Sequence, residues 1–224
     1  MKLNRTLKFT KYAFLLAAFA APVAEADTFN FHLDINVANL VGAPNGPFYL
    51  DFQLNEGNGT TPSNTITLSG FTFTGGSAAG SATVLNGTAS GNFGSSIILS
   101  DSSSSQFNEI FQGFSSGTTD IQFNVSISQN SFAVAPDNFL VTILDNENPN
   151  QPIFTDAPDT LSLVSVNLSS ANTLADVDTY SSTDPTPTGV TATATAVPEP
   201  TSLMALLGGA GVLWSFRRSR AAAR

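Results

Sequence analysis

The sequence predicts an all-β protein, an antiparallel β-sandwich of either the jelly-roll or the immunoglobulin-like kind. Several segments alternate strictly between apolar and polar residues, which is the period of a half-buried strand. Stretches rich in Gly, Ser, Asn and Pro separate these segments, and no window in the central part of the chain spaces its apolar residues as a helix does. Polar outer faces are typical of antiparallel sheets with one face in water, so we expect roughly eight to ten strands of about five to ten residues.

The clearest strands are those in which the alternation is unbroken. Residues 28–37 (TFNFHLDINV) place an apolar residue at every second position, and residues 48–54 and 121–127 repeat the pattern. Residues 139–144 (FLVTIL) are apolar on nearly both faces and predict a central strand.

Other segments interrupt the alternation. Residues 64–73 and 161–168 change the parity of their apolar positions, and Gly70 marks the first change, which predicts a β-bulge there. The Gly- and Ser-rich residues 74–96 predict a long loop with one short strand near residues 83–85, and residues 101–105 predict another loop.

Charge is distributed very unevenly along the chain. All eight Lys and Arg residues lie within residues 2–11 or 217–224, whereas 15 of the 17 Asp and Glu residues lie between residues 27 and 197. Nucleic acids and anionic lipid head groups are bound through Lys and Arg, so this composition excludes nucleic-acid binding. The chain also lacks cysteine, which excludes disulfides and thiolate metal ligands.

The first 26 residues have the layout of a secretory signal peptide. Four cations precede an apolar run of about ten residues (YAFLLAAFAA), and Ala24 and Ala26 form the small-x-small cleavage site. The run is shorter than the roughly 20 residues of a membrane span. The alternative is an amphipathic or buried N-terminal helix. We therefore expect an exported mature chain that starts near Asp27, with a β-sandwich body at residues 27–177.

The body is followed by a segment that predicts a stalk, residues 178–196. Thr, Pro and Ala dominate it, and side chains able to build a core are almost absent. Such a segment buries too little apolar surface to offset its ordering entropy, so we expect it to be extended or disordered.

The last segment, residues 197–224, combines three features in order. Pro198, Glu199 and Pro200 keep the chain extended, because proline cannot continue a helix beyond its first turn. Sixteen uncharged residues, 201–216, would make a short transmembrane helix of about 24 Å, less than the ~30 Å hydrocarbon core of a bilayer. Arg217, Arg218 and Arg220 follow and predict a cytoplasmic end by the positive-inside rule.

These three features resemble the PEP-CTERM sorting signal of Gram-negative bacteria. In that family the signal is read by exosortase, a membrane-embedded, transpeptidase-like enzyme. The resemblance implies transient anchoring in the inner membrane, removal of the tail, and delivery of the body to the cell surface or the extracellular polysaccharide matrix. The alternative is an ordinary single-pass tail anchor.

Calcium binding is the strongest chemical hypothesis for the body. Asp145 and Glu147 follow a predicted strand, and Asp156 and Asp159 lie in neighbouring turns. Hard oxygen ligands in loops suit Ca²⁺, although the spacing does not match an EF-hand. The alternative is that these four residues are solvated turn residues. We expect no other cofactor.

The composition argues against an enzyme. His32 is the only histidine, and although Asp34 shares its strand face, a surface histidine is the simpler interpretation. The body has no Lys or Arg to stabilise an oxyanion or a phosphate. Paired carboxylates could hydrolyse glycosides, but between residues 27 and 197 the Tyr and Trp platforms are limited to Tyr49 and Tyr180.

The sequence thus predicts an exported, non-enzymatic surface or matrix protein that is processed by an exosortase-type protease and linked to exopolysaccharide or biofilm. The alternative functions are a carbohydrate-binding module and, third, a secreted glycoside hydrolase. Because no Lys is available to prevent edge-to-edge pairing of strands, repulsion between carboxylates must do so. We therefore also expect divalent cations to promote self-association or matrix binding, because they reduce this repulsion.

Overall fold

The computed structural model describes residues 28–55, 57, 64–100, 107–128, 137–145, 152–158, 161–168, 172–183 and 189–197. These residues form twelve β-strands and two 3-10 turns, Ala38–Leu40 and Leu174–Asp176, so the all-β prediction is confirmed. The strands are β1 Thr28–Asn36, β2 Phe48–Asn55, β3 Thr65–Thr74, β4 Ala78–Asn86, β5 Ser90–Gly91, β6 Ile97–Ser100, β7 Phe107–Phe114, β8 Asp120–Ser128, β9 Asn138–Leu144, β10 Val164–Asn167, β11 Val177–Thr179 and β12 Thr191–Ala196.

The strands form two antiparallel six-stranded sheets. Sheet A has the order β12-β1-β8-β3-β6-β5, and sheet B has the order β11-β10-β9-β2-β7-β4. The sets β1-β8-β3-β6 and β2-β7-β4 follow the strand order of a jelly roll, one of the two predicted kinds of sandwich. β5 departs from that order because it pairs with β6, and β9 to β12 extend the two sheets.

Phenylalanine rings join the inner faces of the two sheets. Phe52 of β2 is fully buried, and its ring lies 6.1 Å from that of Phe71 and 5.6 Å from that of Phe123, both in sheet A. The apolar residues that alternate in β1, β2 and β8 all point into this core. The two sheets therefore pack face to face, as the period-two pattern predicts.

Two finer predictions of strand geometry are confirmed. The register between β3 and β8 shifts between Ser69 and Thr72, and Gly70 has a φ of 68°, which suits glycine in a bulge. β9 lies between β2 and β10 in sheet B, and all but the first of its residues are buried.

The predicted loop at residues 74–96 is corrected by the structure. It contains the nine-residue β4 and the two-residue β5. The short strand predicted near residues 83–85 lies within β4. The rest of β4 was not predicted because the strand lies at a sheet edge, where most of its small side chains are exposed and no apolar alternation is required. Residues 101–105, predicted as another loop, lie outside the described residues.

β7 was not predicted because two of its four inward side chains are polar. Asn108 and Gln112 are buried, and both serve loop backbones. The Asn108 Oδ1 accepts a hydrogen bond from Thr88 N at 2.8 Å, and the Gln112 Oε1 accepts one from Phe93 N at 2.8 Å. The Gln112 Nε2 also donates to Gly80 O at 2.9 Å. Buried amides replace apolar side chains where loop N–H groups need partners.

A buried carboxylate connects the two sheets at one end. Asp137, directly before β9 of sheet B, is 1% exposed. Its Oδ2 accepts a hydrogen bond from Asn64 Nδ2 at 2.7 Å, next to β3 of sheet A, and its Oδ1 accepts one from Gly57 N at 3.0 Å. The backbone oxygen of Asp137 also accepts from Leu168 N at 2.8 Å. We call Asp137, Asn64 and Gly57 the end clamp.

The predicted stalk is the main error of the sequence interpretation. β11 pairs with β10 of sheet B, and β12 pairs with β1 of sheet A. Val190 is fully buried in the core. The prediction that residues 178–196 form a separate extended or disordered stalk is therefore wrong for the residues of it that the structure describes.

Candidate functional site

The strand that leads into the Pro-Glu-Pro segment is part of the folded body. β12 pairs antiparallel with β1, from Thr191 opposite Asn36 to Ala196 opposite Phe31. Val197 follows and is 37% exposed. Only this one residue lies between the end of β12 and Pro198.

The sequence of β12 (TATATA) accounts for both its conformation and its weak packing. Its threonines are exposed on the outer face, where β-branched residues favour a strand. Its alanines face the core, but burial decreases along the strand, from buried Ala192 through half-buried Ala194 to exposed Ala196. Since burying one CH₂ contributes only about 0.8 kcal/mol, β12 gains far less from burial than β1 does with its two phenylalanines, leucine and isoleucine.

The beginning of β12 is held more firmly than its end. Ser182 N donates to Val190 O at 2.9 Å, and Val190 N donates to the Ser182 Oγ at 3.0 Å. A bridge between Ser181 and Thr191 continues this pairing. Beyond Thr191, the described pairing of β12 is with β1 alone.

β12 is the least protected edge among the described strands. The other edge strands are short (two residues in β5, three in β11) or irregular, as in β4 with its two register shifts. Native sheets commonly protect edges by short length, bulges, charge or proline. β12 has six residues in regular register and none of these features.

The two ends of the described body lie side by side. β1 begins at Thr28, two residues after Ala26, the predicted signal-peptide cleavage position. Because β1 and β12 are antiparallel, the start of β1 and the end of β12 lie at the same end of sheet A. Thr28 and Val197, the described residues nearest in sequence to the two predicted processing positions, therefore lie at the same end of the body.

The outer face of sheet A carries a polar cluster that includes His32. The His32 Nδ1 lies 3.0 Å from the Asn124 Oδ1, so the imidazole faces an amide on the neighbouring strand. Gln122 Nε2 donates to the Asp34 Oδ2 at 3.1 Å. Partial burial of Asp120 raises its pKa to about 6, and both a hydrogen bond with Asp34 and charge repulsion from Asp34 contribute to this increase. These hydrogen bonds link β1 and β8 on the solvent-facing side of sheet A.

The outer face of sheet B contains a buried carboxyl that the sequence patterns did not single out. Asp51 is fully buried, and burial raises its pKa to about 7. Its Oδ2 accepts from Gln53 Nε2 at 2.7 Å and from the Thr142 hydroxyl at 3.0 Å; both bonds lower the pKa, while the Glu109 carboxylate raises it. The Asp51 Oδ1 has no hydrogen-bond partner among the described residues. The apolar–polar alternation of β2 predicts that the Asp51 side chain points outward. Only the packing of the neighbouring side chains shows that it is nevertheless buried.

The structure places the two described calcium candidates in different surroundings. The Asp145 Oδ2 accepts from Asn45 Nδ2 at 3.3 Å, whereas the Asp156 Oδ1 accepts from Ser181 N at 2.7 Å. Glu147 and Asp159 lie outside the described residues. Within the described ranges, no group of three or more His, Cys, Asp or Glu side chains is arranged to hold a metal ion.

The predicted processing residues lie outside the described part of the chain. They are Ala24, Ala26, Pro198, Glu199, Pro200, Arg217, Arg218 and Arg220. The predicted transmembrane segment, residues 201–216, also lies outside it. None of the helices in the described ranges has the length and apolar character needed to cross a membrane.

Comparison with known proteins identifies the C-terminal segment. Residues 196–220 match the family model of the PEP-CTERM protein-sorting motif, which confirms the resemblance found in the sequence. No curated protein and no solved structure matches the chain significantly. The motif implies export, transient anchoring in the membrane and processing by exosortase, a membrane protease. The match begins at Ala196, the last residue of β12.

Proposed function

We propose that this chain is a non-enzymatic cell-surface or extracellular-matrix protein whose acidic β body is the cargo of the sorting motif. The observation that carries the proposal is the continuity of the two parts: sheet A includes the chain up to Ala196, and the motif match starts at that residue. The residues that precede the motif are thus part of the folded body that the motif delivers.

The charge of the body supports an extracellular matrix as its destination. No Lys or Arg lies between residues 27 and 197, so the body is repelled by anionic lipid head groups once its tail is removed. A polyanionic body is not repelled by a neutral polysaccharide, and divalent cations can bridge it to an anionic one. An exopolysaccharide or biofilm matrix is the partner that we propose.

Site-directed variants of the motif test the sorting step. The full chain is expressed in a Gram-negative host that contains exosortase, and the mass and location of the product are measured after cell fractionation. We expect the unmodified chain to lose its tail and to be recovered at the surface or in the matrix. Glu199→Ala should remain at full length in the membrane fraction.

The chain provides a matched control for this experiment. Pro185 and Pro187 form a second Pro-x-Pro, which lacks the glutamate. The double variant Pro185→Ala/Pro187→Ala should be processed as the unmodified chain is. Mature protein that still carries Arg224 would contradict the proposal.

A carbohydrate-binding module is the second candidate, and one feature of sheet B favours it. Tyr49 and Phe111 are half-buried on the outer face, with their rings edge to face at 5.4 Å. Gln53 and Glu109 lie along the same face, and the Gln53 Nε2 is 3.4 Å from the Glu109 Oε1. Amphipathic rings beside amide and carboxylate groups are suited to polar, ring-shaped ligands such as sugars.

Binding to the host's own exopolysaccharide distinguishes the two candidates. Tyr49→Ala should abolish retention of the body on immobilised polymer if this face binds sugar, whereas Tyr180→Ala should not. Equal retention of both variants supports a structural role instead.

A glycoside hydrolase is the third candidate. Asp51 and Glu109 are two carboxyl groups close enough for the charge of one to affect the other. However, Asp51 is fully buried, so a glycosidic oxygen cannot reach it in this conformation. Hydrolysis of the host polymer that is lost in Glu109→Gln would support this candidate.

A further inference from the structure

The folded body leaves very little chain between itself and the membrane. The uncharged segment begins at residue 201, so residues 197–200 are the only link to the end of β12. Four extended residues span at most about 13 Å. A domain of this size has a radius of gyration of about 15 Å, so the body is held against the membrane surface while the tail is anchored.

A processing enzyme needs more room than this link provides. Proteins that bind an extended peptide do so through its backbone and its alternate side chains, so the peptide must be accessible over several residues. On the N-terminal side of Pro198, however, the peptide is Val197 and then β12, whose backbone is already hydrogen-bonded to β1. β12 therefore competes with the enzyme for the same segment.

Separation of β12 uncovers only a small part of the core, because Ala192 is the one buried side chain that the strand contributes to it. Its inner side chains are alanines, and Ala196 at its end is exposed. It pairs with a single neighbour beyond Thr191, so its separation breaks one row of hydrogen bonds. Val190, held on both backbone groups by Ser182, marks the point at which separation stops.

We propose that β12 unpairs from β1 when the sorting motif is processed, and that it pairs again after the tail is removed. The six residues of β12 add about 20 Å to the link, for a total of roughly 33 Å. β12 thus controls how easily exosortase reaches the sorting motif that directly follows this strand in the chain. This inference rests on the proposed function, because it presupposes processing at the motif.

A reversible cross-link between β12 and β1 tests the inference. The chain has no cysteine, so an introduced pair forms a single disulfide. His32 and Thr195 are directly opposite each other on the outer face, where Cα atoms of paired antiparallel strands are about 4.5–5.5 Å apart, within disulfide range. The test variant is His32→Cys/Thr195→Cys in the full chain, expressed in an exosortase-containing host.

The neighbouring strand provides the matched control. Asn30 and Ser126 are directly opposite each other on β1 and β8, so Asn30→Cys/Ser126→Cys cross-links β1 on its other side and leaves β12 free. The rate of tail removal is measured by pulse-chase and intact mass, with and without an added reductant. Mass also reports whether each disulfide has formed.

We expect tail removal to slow at least tenfold in the oxidised test variant and to recover when the disulfide is reduced. Insertion of eight Gly and Ser residues between Val197 and Pro198 should restore processing of the oxidised variant, because the insert replaces the length that β12 no longer supplies. Equal rates in the oxidised test variant and in the control would overturn the inference. If the unmodified chain keeps its tail, the proposed function itself fails and the inference falls with it.

A second pair of variants tests the inference without a disulfide. Ala194→Val adds apolar contact and a β-branched side chain on the inner face of β12, and should slow processing. Ala194→Gly weakens the strand and should speed processing. Identical rates for both variants and the unmodified chain would also overturn the inference.

Discussion

Phe31 of β1 lies directly opposite Ala196 of β12, and this pair places the first and last described strands side by side at one end of the body. The packing of the pair is unequal: Phe31 is fully buried, whereas Ala196 is exposed. β1 is therefore anchored in the core by its side chains, whereas β12 is attached mainly by its pairing with the edge of β1.

The first prediction concerns the contribution of β12 to the body. A chain that ends at residue 190 should be less stable to denaturant than one that ends at Val197, and it should self-associate. Removal of β12 exposes the edge of the nine-residue β1, and β1 can then pair with another copy of the chain. Equilibrium unfolding and size-exclusion chromatography measure the two effects. Identical behaviour of the two chains would show that residues 191–197 are a stalk after all.

The second prediction concerns the end clamp. Asp137→Ala should lower the free energy of unfolding by about 1–3 kcal/mol, because it removes a buried side chain that accepts hydrogen bonds from the buried Asn64 Nδ2 and from Gly57 N. Asp137→Asn should cost less, since its amide oxygen can still accept one of the two bonds. The exposed Asp178→Ala is the control and should change stability by less than about 0.5 kcal/mol. Equal stability of all three variants would mean that the clamp does not hold the sheets together.

The third prediction concerns pH. The pKa of Asp51 is raised from 3.8 to about 7, so the folded body binds more protons than the unfolded chain between these values. The free energy of unfolding should therefore fall as the pH rises from about 4 to 7 and level off above 7. The upper limit of the Asp51 effect is about 4 kcal/mol. The raised pKa of Asp120, about 6, acts in the same direction.

Asp51→Asn isolates the contribution of the buried carboxyl. The variant should be more stable than the unmodified protein at pH 8, and this advantage should decrease as the pH falls and be lost near pH 3, below the ordinary pKa of 3.8, where Asp51 is mostly protonated in both states. Urea unfolding at several pH values measures the difference. A constant difference across the range would show that Asp51 does not titrate in the folded body.

The fourth prediction concerns divalent cations. Ca²⁺ and Mg²⁺ should both increase self-association of the processed body, because it has 15 Asp and Glu residues and no Lys or Arg between residues 27 and 197. Light scattering at matched ionic strength separates this effect from simple screening. If Ca²⁺ acts at a much lower concentration than Mg²⁺, and Asp145→Asn or Asp156→Asn removes the difference, a calcium site is responsible. Scattering that neither ion changes would contradict the prediction.

The alternation of side chains identified those strands whose inner faces are wholly apolar. β1, β2 and β8 follow the two-residue period because each of them faces the core along its whole length. The same rule missed β7, where Asn108 and Gln112 point inward to bind loop backbones. Such a pattern cannot be recognised until the loop that needs the hydrogen bond is known.

β12 shows a different limit of the sequence. Its Thr–Ala alternation has the period of a strand, yet its composition is that of a solvated linker. Whether such a segment pairs depends on an open edge at the right distance, and β1 provides one. The decisive partner lies about 160 residues away in the chain, so no local pattern contains this information.

The sequence alone thus determined the all-β class, the bulge at Gly70, the absence of Lys and Arg between residues 27 and 197 and the C-terminal sorting motif, because each depends only on composition or on the order of neighbouring residues. Contacts between distant segments decided the rest: the burial of Asp51, the clamp at Asp137 and the place of β12 in sheet A. Burial and strand pairing are properties of the assembled sheets, in which a residue's environment is set by side chains that the chain brings together only when it folds.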